Sequence, residues 1–152
     1  MTEKQDSKGL LLSASDFREL IDARLPFAGL MGITVDYFKA DHVRLRANYH
    51  ERFLRPGGTI AGPVMMGLAD AAVYALVLSR IGPVELAVTT QLSINFLRKP
   101  SPADVIADAR MLKLGKRLAV GEASLFSEEI GADKPVAHVT ATYSIPPPEH
   151  RS

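Results

Sequence analysis

The stretch Gly62-Pro-Val-Met-Met-Gly-Leu-Ala-Asp-Ala-Ala-Val-Tyr-Ala-Leu-Val-Leu-Ser-Arg-Ile-Gly-Pro83 decides the fold. Its residues 64–81 read as one long helix, with Gly62 suited to the N-cap, Pro63 to the first helical position and Gly82-Pro83 to the stop. Met65, Leu68, Ala69, Ala72, Val73, Leu76 and Val77 cover more than one face of that helix. A helix apolar on several sides is enclosed by protein or by lipid. The lipid reading is rejected on two grounds. The apolar run falls short of the ~20 residues that span a bilayer, and Asp70 would sit near its middle, where a carboxylate is costly. The rest of the chain is therefore expected to wrap around this helix.

Working outward, residues 13–25 place Phe17, Leu20, Ile21 and Leu25 at helical spacing, with Ser13 and Asp16 resembling a capping box and Pro26 as the terminator. The period then changes to two. Val43, Leu45, Ala47 and Tyr49 alternate with Arg44, Arg46 and Asn48, the pattern of a half-buried strand, and residues 33–38 are expected to pair with it. The glycines and prolines of residues 55–63 read as a loop. Beyond the helix come four further strand-like segments, residues 85–97, 105–114, 118–128 and 135–145. The last two connections, residues 115–117 and 130–134, are short enough for hairpins, which makes their strands antiparallel neighbours. A helix of about 18 residues is ~27 Å long, close to the ~33 Å of a ten-residue strand, so a sheet of such strands can curl along it. The expected class is α+β: one long helix held in a curved antiparallel sheet.

The chain has 152 residues, 47% hydrophobic and 23% charged, the balance of one compact domain. Its expected bounds are 13–145, with a flexible segment at 1–12 and a loose tail at 146–152. Having no cysteine, it has no thiolate nucleophile, cysteine zinc site or disulfide. Eighteen Lys and Arg against seventeen Asp and Glu leave a net charge of +1, too small to point to nucleic acid. Neither a nucleic acid nor a membrane is expected as a partner. The polar first eight residues and the short apolar run at 10–12 lack a secretory signal core, so a cytoplasmic location is the default expectation. The four histidines show no metal-ligand spacing, and Gly57, Gly58 and Gly62 do not form a phosphate-binding loop.

Asp70 is the one charged side chain between Pro63 and Ser79. Its burial needs hydrogen bonds or a cation as compensation. Two readings stand at this point: a general base or nucleophile placed where substrate arrives, or a structural carboxylate that caps a loop or pairs with an arginine across a subunit interface. Gly62 offers a second site, because free N–H groups at a helix start, here those of Gly62, Val64 and Met65, can hold an oxyanion. The two positions lie eight residues apart, ~12 Å along a helix, whereas reacting atoms must approach to ~3–3.5 Å. If both serve one reaction, they come from different copies of the chain, which predicts a two-fold dimer with antiparallel helices and two shared sites.

From Leu25 to Ile145 the sequence resembles the hotdog-fold acyl-CoA thioesterases of the phenylacetate-pathway, PaaI-like type. Gly62 matches the first glycine of that family's His-Gly-Gly. Leu68-Ala-Asp-Ala-Ala72 matches its helix signature, Val88-Thr-Thr-Gln-Leu-Ser-Ile-Asn-Phe-Leu-Arg-Lys-Pro100 its following strand, and Leu114-Gly-Lys-Arg117 its hairpin. The resemblance implies a hotdog fold, a homodimer that is often a dimer of dimers, and hydrolysis of an acyl-CoA thioester. In it Asp70 acts as base or nucleophile, the partner's Gly62 N–H polarises the carbonyl, and Thr89 is the hydroxyl residue that helps place water or carboxylate. No cofactor is implied beyond the CoA of the substrate.

The family's asparagine is Arg55 here, its histidine is Ala61 and its second glycine is Pro63. Arg55 is expected either to bind a polar acyl group or orient water, or to pair with Asp70 and reduce its basicity. The latter would favour an alternative function, a non-catalytic acyl-CoA or aromatic-ligand binding protein on the same scaffold. Ala61, Pro63 and Val64 are expected to border the substrate, with Ile60 and Met65 suggesting an apolar acyl pocket. Arg98, Lys116 and Arg117 are candidates for the CoA phosphates.

Overall fold

The computed structural model describes residues 8–151. Helix α1 (Ala14–Arg24) opens with the expected capping box: Asp16 N–H donates to Ser13 Oγ at 3.1 Å, and Ser13 N–H donates to Asp16 Oδ2 at 3.1 Å. Pro26 ends this helix but also starts a second, α2 (Pro26–Leu30), since its missing N–H costs nothing at a first helical position. Strands β1 (Ile33–Lys39) and β2 (His42–Ala47) form the expected hairpin. Within the region read as a loop, β3 (Leu54–Arg55) and β4 (Thr59–Ile60) make a two-stranded ribbon.

The long helix α3 (Gly62–Ile81) begins one residue earlier than the expected cap and first position, with Ala61 and not Gly62 as the N-cap and Gly62 and not Pro63 as the first helical residue. At 20 residues it is long enough to cross a membrane, so length does not exclude that reading; burial does. Eleven of its residues are buried, and it packs against all six strands of the main sheet as the central helix of the fold.

That sheet has the order β1-β2-β6-β7-β8-β5, antiparallel throughout, with β5 (Val88–Phe96), β6 (Val105–Leu114), β7 (Leu118–Ser127) and β8 (Ala137–Ser144). The expected hairpin neighbours β6-β7 and β7-β8 are present. Strand β5 pairs with β8, which closes the chain's order and leaves β5 at an edge. On β8 the burial alternates strictly, with Ala137, Val139, Ala141 and Tyr143 facing the helix. Gly121 on β7 shows how closely helix and sheet meet: a Cβ there would lie 3.0 Å from Leu76 and 3.1 Å from Val73.

Of the expected N-terminal segment, residues 1–7 lie outside those described. Leu11 N–H donates to Ser79 O at 2.7 Å, and Leu12 is buried in the core. At the other end Pro148–His150 forms a short 3-10 turn after Ile145, which is itself buried.

Candidate active site

Asp70 lies half-buried on α3 and its carboxylate is held by two hydroxyls. Thr89 Oγ1 donates to Asp70 Oδ1 at 2.6 Å, and Tyr143 OH donates to the same oxygen at 2.6 Å while lying 2.9 Å from the Asp70 carbonyl oxygen. Oδ2 receives no hydrogen bond among the described residues, and none of the described arginines pairs with Asp70.

The local fold explains the convergence. Thr89 and Tyr143 are direct cross-strand partners on β5 and β8, so their side chains share the face turned toward the helix. A β-bulge between Thr89 and Gln91 follows immediately, after which Leu92 and Ile94 take the inward positions. The extra residue lets Thr89 face Asp70 while the rest of the strand keeps its apolar row inward.

Tyr143 is 2% exposed, and burial first, then the nearby Asp70 carboxylate, pushes its phenol far above its ordinary pKa. It remains a protonated donor at every physiological pH. Its ring stacks at 6.0 Å on Tyr74, whose hydroxyl donates to Glu85 O at 3.0 Å. Burial, then Glu85, raises Tyr74 to about 12. Tyr143 is the partner of Asp70 that sequence reasoning did not name. The signal was a tyrosine ending the inward row of a strand, because a buried phenol seeks a polar partner.

Two separate clefts flank α3. One, of about 270 Å³, contains Asp70 and Thr89 beside an apolar wall from Leu25, Phe27, Met31 and Tyr74. The other, of about 470 Å³, contains Gly62, Arg55, Arg98 and Lys99, with the buried Ile60 and Met65 also contributing. Arg55 thus lies with Gly62 and not with Asp70 of its own chain. Phe96 covers Gly62 so closely that a Cβ there would touch its ring at 3.4 Å. As the first helical residue Gly62 has an N–H with no intrahelical acceptor, whereas the Val64 N–H is engaged with Ala61 O at 3.1 Å.

The remaining candidates are dispersed. Pro63 and Val64 border a shallow groove with Phe27 and Phe53, and the N–H of Ala61 is used by Phe53 O at 2.8 Å. Lys116 and Arg117 occupy the β6-β7 turn and line neither flanking cleft; Arg117 Nε donates to Ile145 O at 3.0 Å. Among the described residues no three His, Asp or Glu side chains converge as a metal site. Instead His42 bonds Asp108 at 3.0 Å, His50 caps a 3-10 turn and His138 faces Glu122 at 3.2 Å.

Known proteins share this architecture. The sequence model of the thioesterase superfamily matches residues 57–133, a span that includes Gly62, Asp70 and Thr89. A protein of Saccharolobus solfataricus named "Putative esterase" is 31% identical over 117 residues, 76% of each chain. The crystal structure of a "putative thioesterase" from Silicibacter sp. TM1040 is 45% identical, with a TM-score of 0.81 over 91% of this chain and 94% of that one. A mutant of the phenylacetic acid degradation protein PaaI from Thermus thermophilus is 26% identical, with a TM-score of 0.68 over 78% of this chain and 97% of that one.

Proposed function

The chain belongs to the thioesterase superfamily and has its hotdog fold, and on that premise we propose that it hydrolyses acyl-CoA thioesters at sites shared between two copies of the chain. The observation that carries the reading is the Asp70 carboxylate, oriented through Oδ1 by Thr89 and Tyr143, with Oδ2 left for a reacting group.

In the proposed reaction Oδ2 takes a proton from a water as its oxygen attacks the thioester carbonyl carbon. The carbonyl oxygen gains negative charge, which the Gly62 N–H of the second copy stabilises with the help of the α3 N-terminal dipole. Collapse breaks the C–S bond, and the proton held by Asp70 passes to the departing thiolate. The products are a free acid and CoA. Asp70 is read here as a base because its two hydrogen bonds fix one oxygen and leave room for water at the other.

Two features support the shared site. Gly62 and Asp70 open into different clefts of the same chain, ~12 Å apart along the helix. Strand β5 is also a sheet edge unpaired among the described residues, and Val88 and Phe96 on it and Leu97 just after it are exposed at 50% or more, a surface suited to a second copy. Arg55 is assigned to the Gly62 side of the site, where it faces incoming substrate.

The test is thiol release from a panel of acyl-CoAs by the wild-type protein and Asp70→Asn. The chain has no cysteine, so it adds no thiol background. Turnover lowered about 10²- to 10⁴-fold by the substitution supports the base; equal turnover in both proteins removes Asp70 from the reaction.

A further inference from the structure

The two clefts differ in charge, and a CoA thioester differs in charge between its ends. Building on the thioesterase reading, we propose that the acyl chain enters the apolar cleft beside Asp70, and that Gly67, through the seat it gives Met31, sets the length of chain accepted.

The Asp70 cleft lies between α2 and α3 and is walled by Leu25, Phe27, Ala28, Met31, Tyr74 and Val88. The charged groups lining it are Asp70 and, toward Arg24, Glu85. Both are acidic, which disfavours a phosphate and leaves an uncharged chain unaffected. The Gly62 cleft has the opposite character, with Arg55, Arg98 and Lys99 and, among the described residues, no acidic side chain in its lining. Placing the thioester carbonyl between Asp70 and the second copy's Gly62 leaves two orientations. The acyl chain in the Asp70 cleft, with the nucleotide arm toward the basic cleft, matches both ends; the reverse mismatches both.

The volume restricts the chain. A dry apolar cavity of ~150 Å³ holds one benzene, so a cleft of about 270 Å³ holds on the order of ten carbon atoms. Gly67 lies one turn before Asp70 on the same face of α3. A Cβ added there would sit 2.9 Å from Met31 Sδ and 3.0 Å from its Cε, so only glycine lets the thioether lie against the helix. Met31 is 5% exposed and, together with Phe27, borders both this cleft and the groove at Phe53 and Pro63, so the two side chains form the wall between them. Pushing that flexible Met31 side chain outward narrows the cleft, and shortening it opens the cleft toward the groove beside Phe27.

Initial rates on butyryl-, hexanoyl-, octanoyl-, decanoyl- and palmitoyl-CoA test this with wild type, Gly67→Ala and Met31→Ala. For wild type, kcat/KM is expected to rise by up to roughly fourfold per methylene to about decanoyl and to fall by palmitoyl. Gly67→Ala is expected to lower the decanoyl-to-butyryl ratio at least tenfold, and Met31→Ala to raise the palmitoyl-to-octanoyl ratio by a similar factor. Alanine is a better helix former than glycine, so Gly67→Ala retains the fold. The same acyl chains on N-acetylcysteamine, which lacks the nucleotide arm, are expected to keep the length profile. A profile that neither substitution moves, with turnover intact, overturns this inference alone. Absence of turnover at every chain length overturns the thioesterase reading and this inference together.

Discussion

Replacing Tyr143 by phenylalanine removes one oxygen from a buried side chain and one of the two donors that hold the Asp70 carboxylate. The same hydroxyl also serves the Asp70 carbonyl oxygen, so a single proton is shared between two acceptors at 2.6 and 2.9 Å. A hydrogen bond to a charged group contributes about 1.5–3 kcal/mol. Thr89 still donates to Oδ1, and water can reach a half-buried carboxylate, so the lower end applies to stability. For a chain of this size about 1.5 kcal/mol lowers Tm by about 3–6 °C.

The effect on turnover is larger, because a carboxylate held by one donor can swing about its Cβ–Cγ bond. Misplacement of a reacting group by about 1 Å costs on the order of 10²-fold. We expect kcat on a medium-chain acyl-CoA to fall 10- to 100-fold, with KM changed less than about twofold because the phenol orients Asp70 without holding substrate. The phenol stays protonated well above pH 10, so the ratio of wild-type to variant kcat is expected to stay constant from pH 6 to 9. Thiol release measures the rates, and thermal unfolding measures the fold. Wild-type kcat in a folded Tyr143→Phe protein, or a raised KM with kcat unchanged, would refute the positioning role.

Three other perturbations address the site and the scaffold. Gly62→Pro deletes the proposed oxyanion donor at a first helical position that tolerates proline, after an Ala61 already extended at φ −66° and ψ 144°; kcat is expected to fall about 10²- to 10³-fold. Refolded as a mixture with Asp70→Asn, it should restore about a quarter of wild-type activity through mixed dimers with one intact site, whereas no restoration rules out sharing. Burial opposes the charge of Asp108, but hydrogen bonds from His42 and Arg44 outweigh it and hold the carboxyl below the usual 3.8. Its stabilisation is therefore present above about pH 4 and lost as pH falls through the lowered value, so Asp108→Asn should cost about 1–3 kcal/mol at pH 7 in denaturant titration and little in strong acid. Tyr74 has the opposite sign: its raised phenol pKa makes wild-type stability decline from about pH 10 to about 12, and Tyr74→Phe should flatten that decline.

Much of the fold was legible because its main signal is local. Residues 62–83 carry a cap region, an apolar surface without a polar face and a Gly-Pro stop, so the helix and its burial follow from periodicity alone. Strand β8 was equally readable as a strand, since its β-branched and aromatic residues are bounded by turn residues on both sides. Sheet order was not readable in this way. That β5 joins β8 at an edge, while the next strand β6 joins β2, depends on the connection at residues 97–104 crossing to the other side of the sheet, and no residue of β5 signals its partner. The short helix at Pro26 was hidden because one proline serves both as terminator and as first helical residue. At the site, Asp70 stood out as a lone charge in an apolar run, but Tyr143 is 73 positions away and contributes through register. Only the pairing of Thr89 with Tyr143 brings the two donors onto one oxygen. Arg55 was readable as a departure from the family pattern, yet only the fold places it on the Gly62 side of α3.

Strand β5 connects these separate pieces. It runs against the direction of α3, with Thr89 near its start bonded to Asp70 and Phe96 at its end covering Gly62. Its outer edge is unpaired among the described residues. If two copies join by pairing these edges about a two-fold axis, the strands are antiparallel, and the start of one lies opposite the end of the other. Thr89 of one copy then lies toward Phe96 of its mate, and Asp70 toward the second copy's Gly62, twice by symmetry. The eight-residue separation of Gly62 and Asp70 is thus the offset that the proposed two-fold pairing of β5 would remove. A bulge placed at Thr89 and not farther along the strand keeps the Thr89 hydroxyl inward without shifting Phe96 off Gly62, so both halves of the proposed site depend on the register of this one strand.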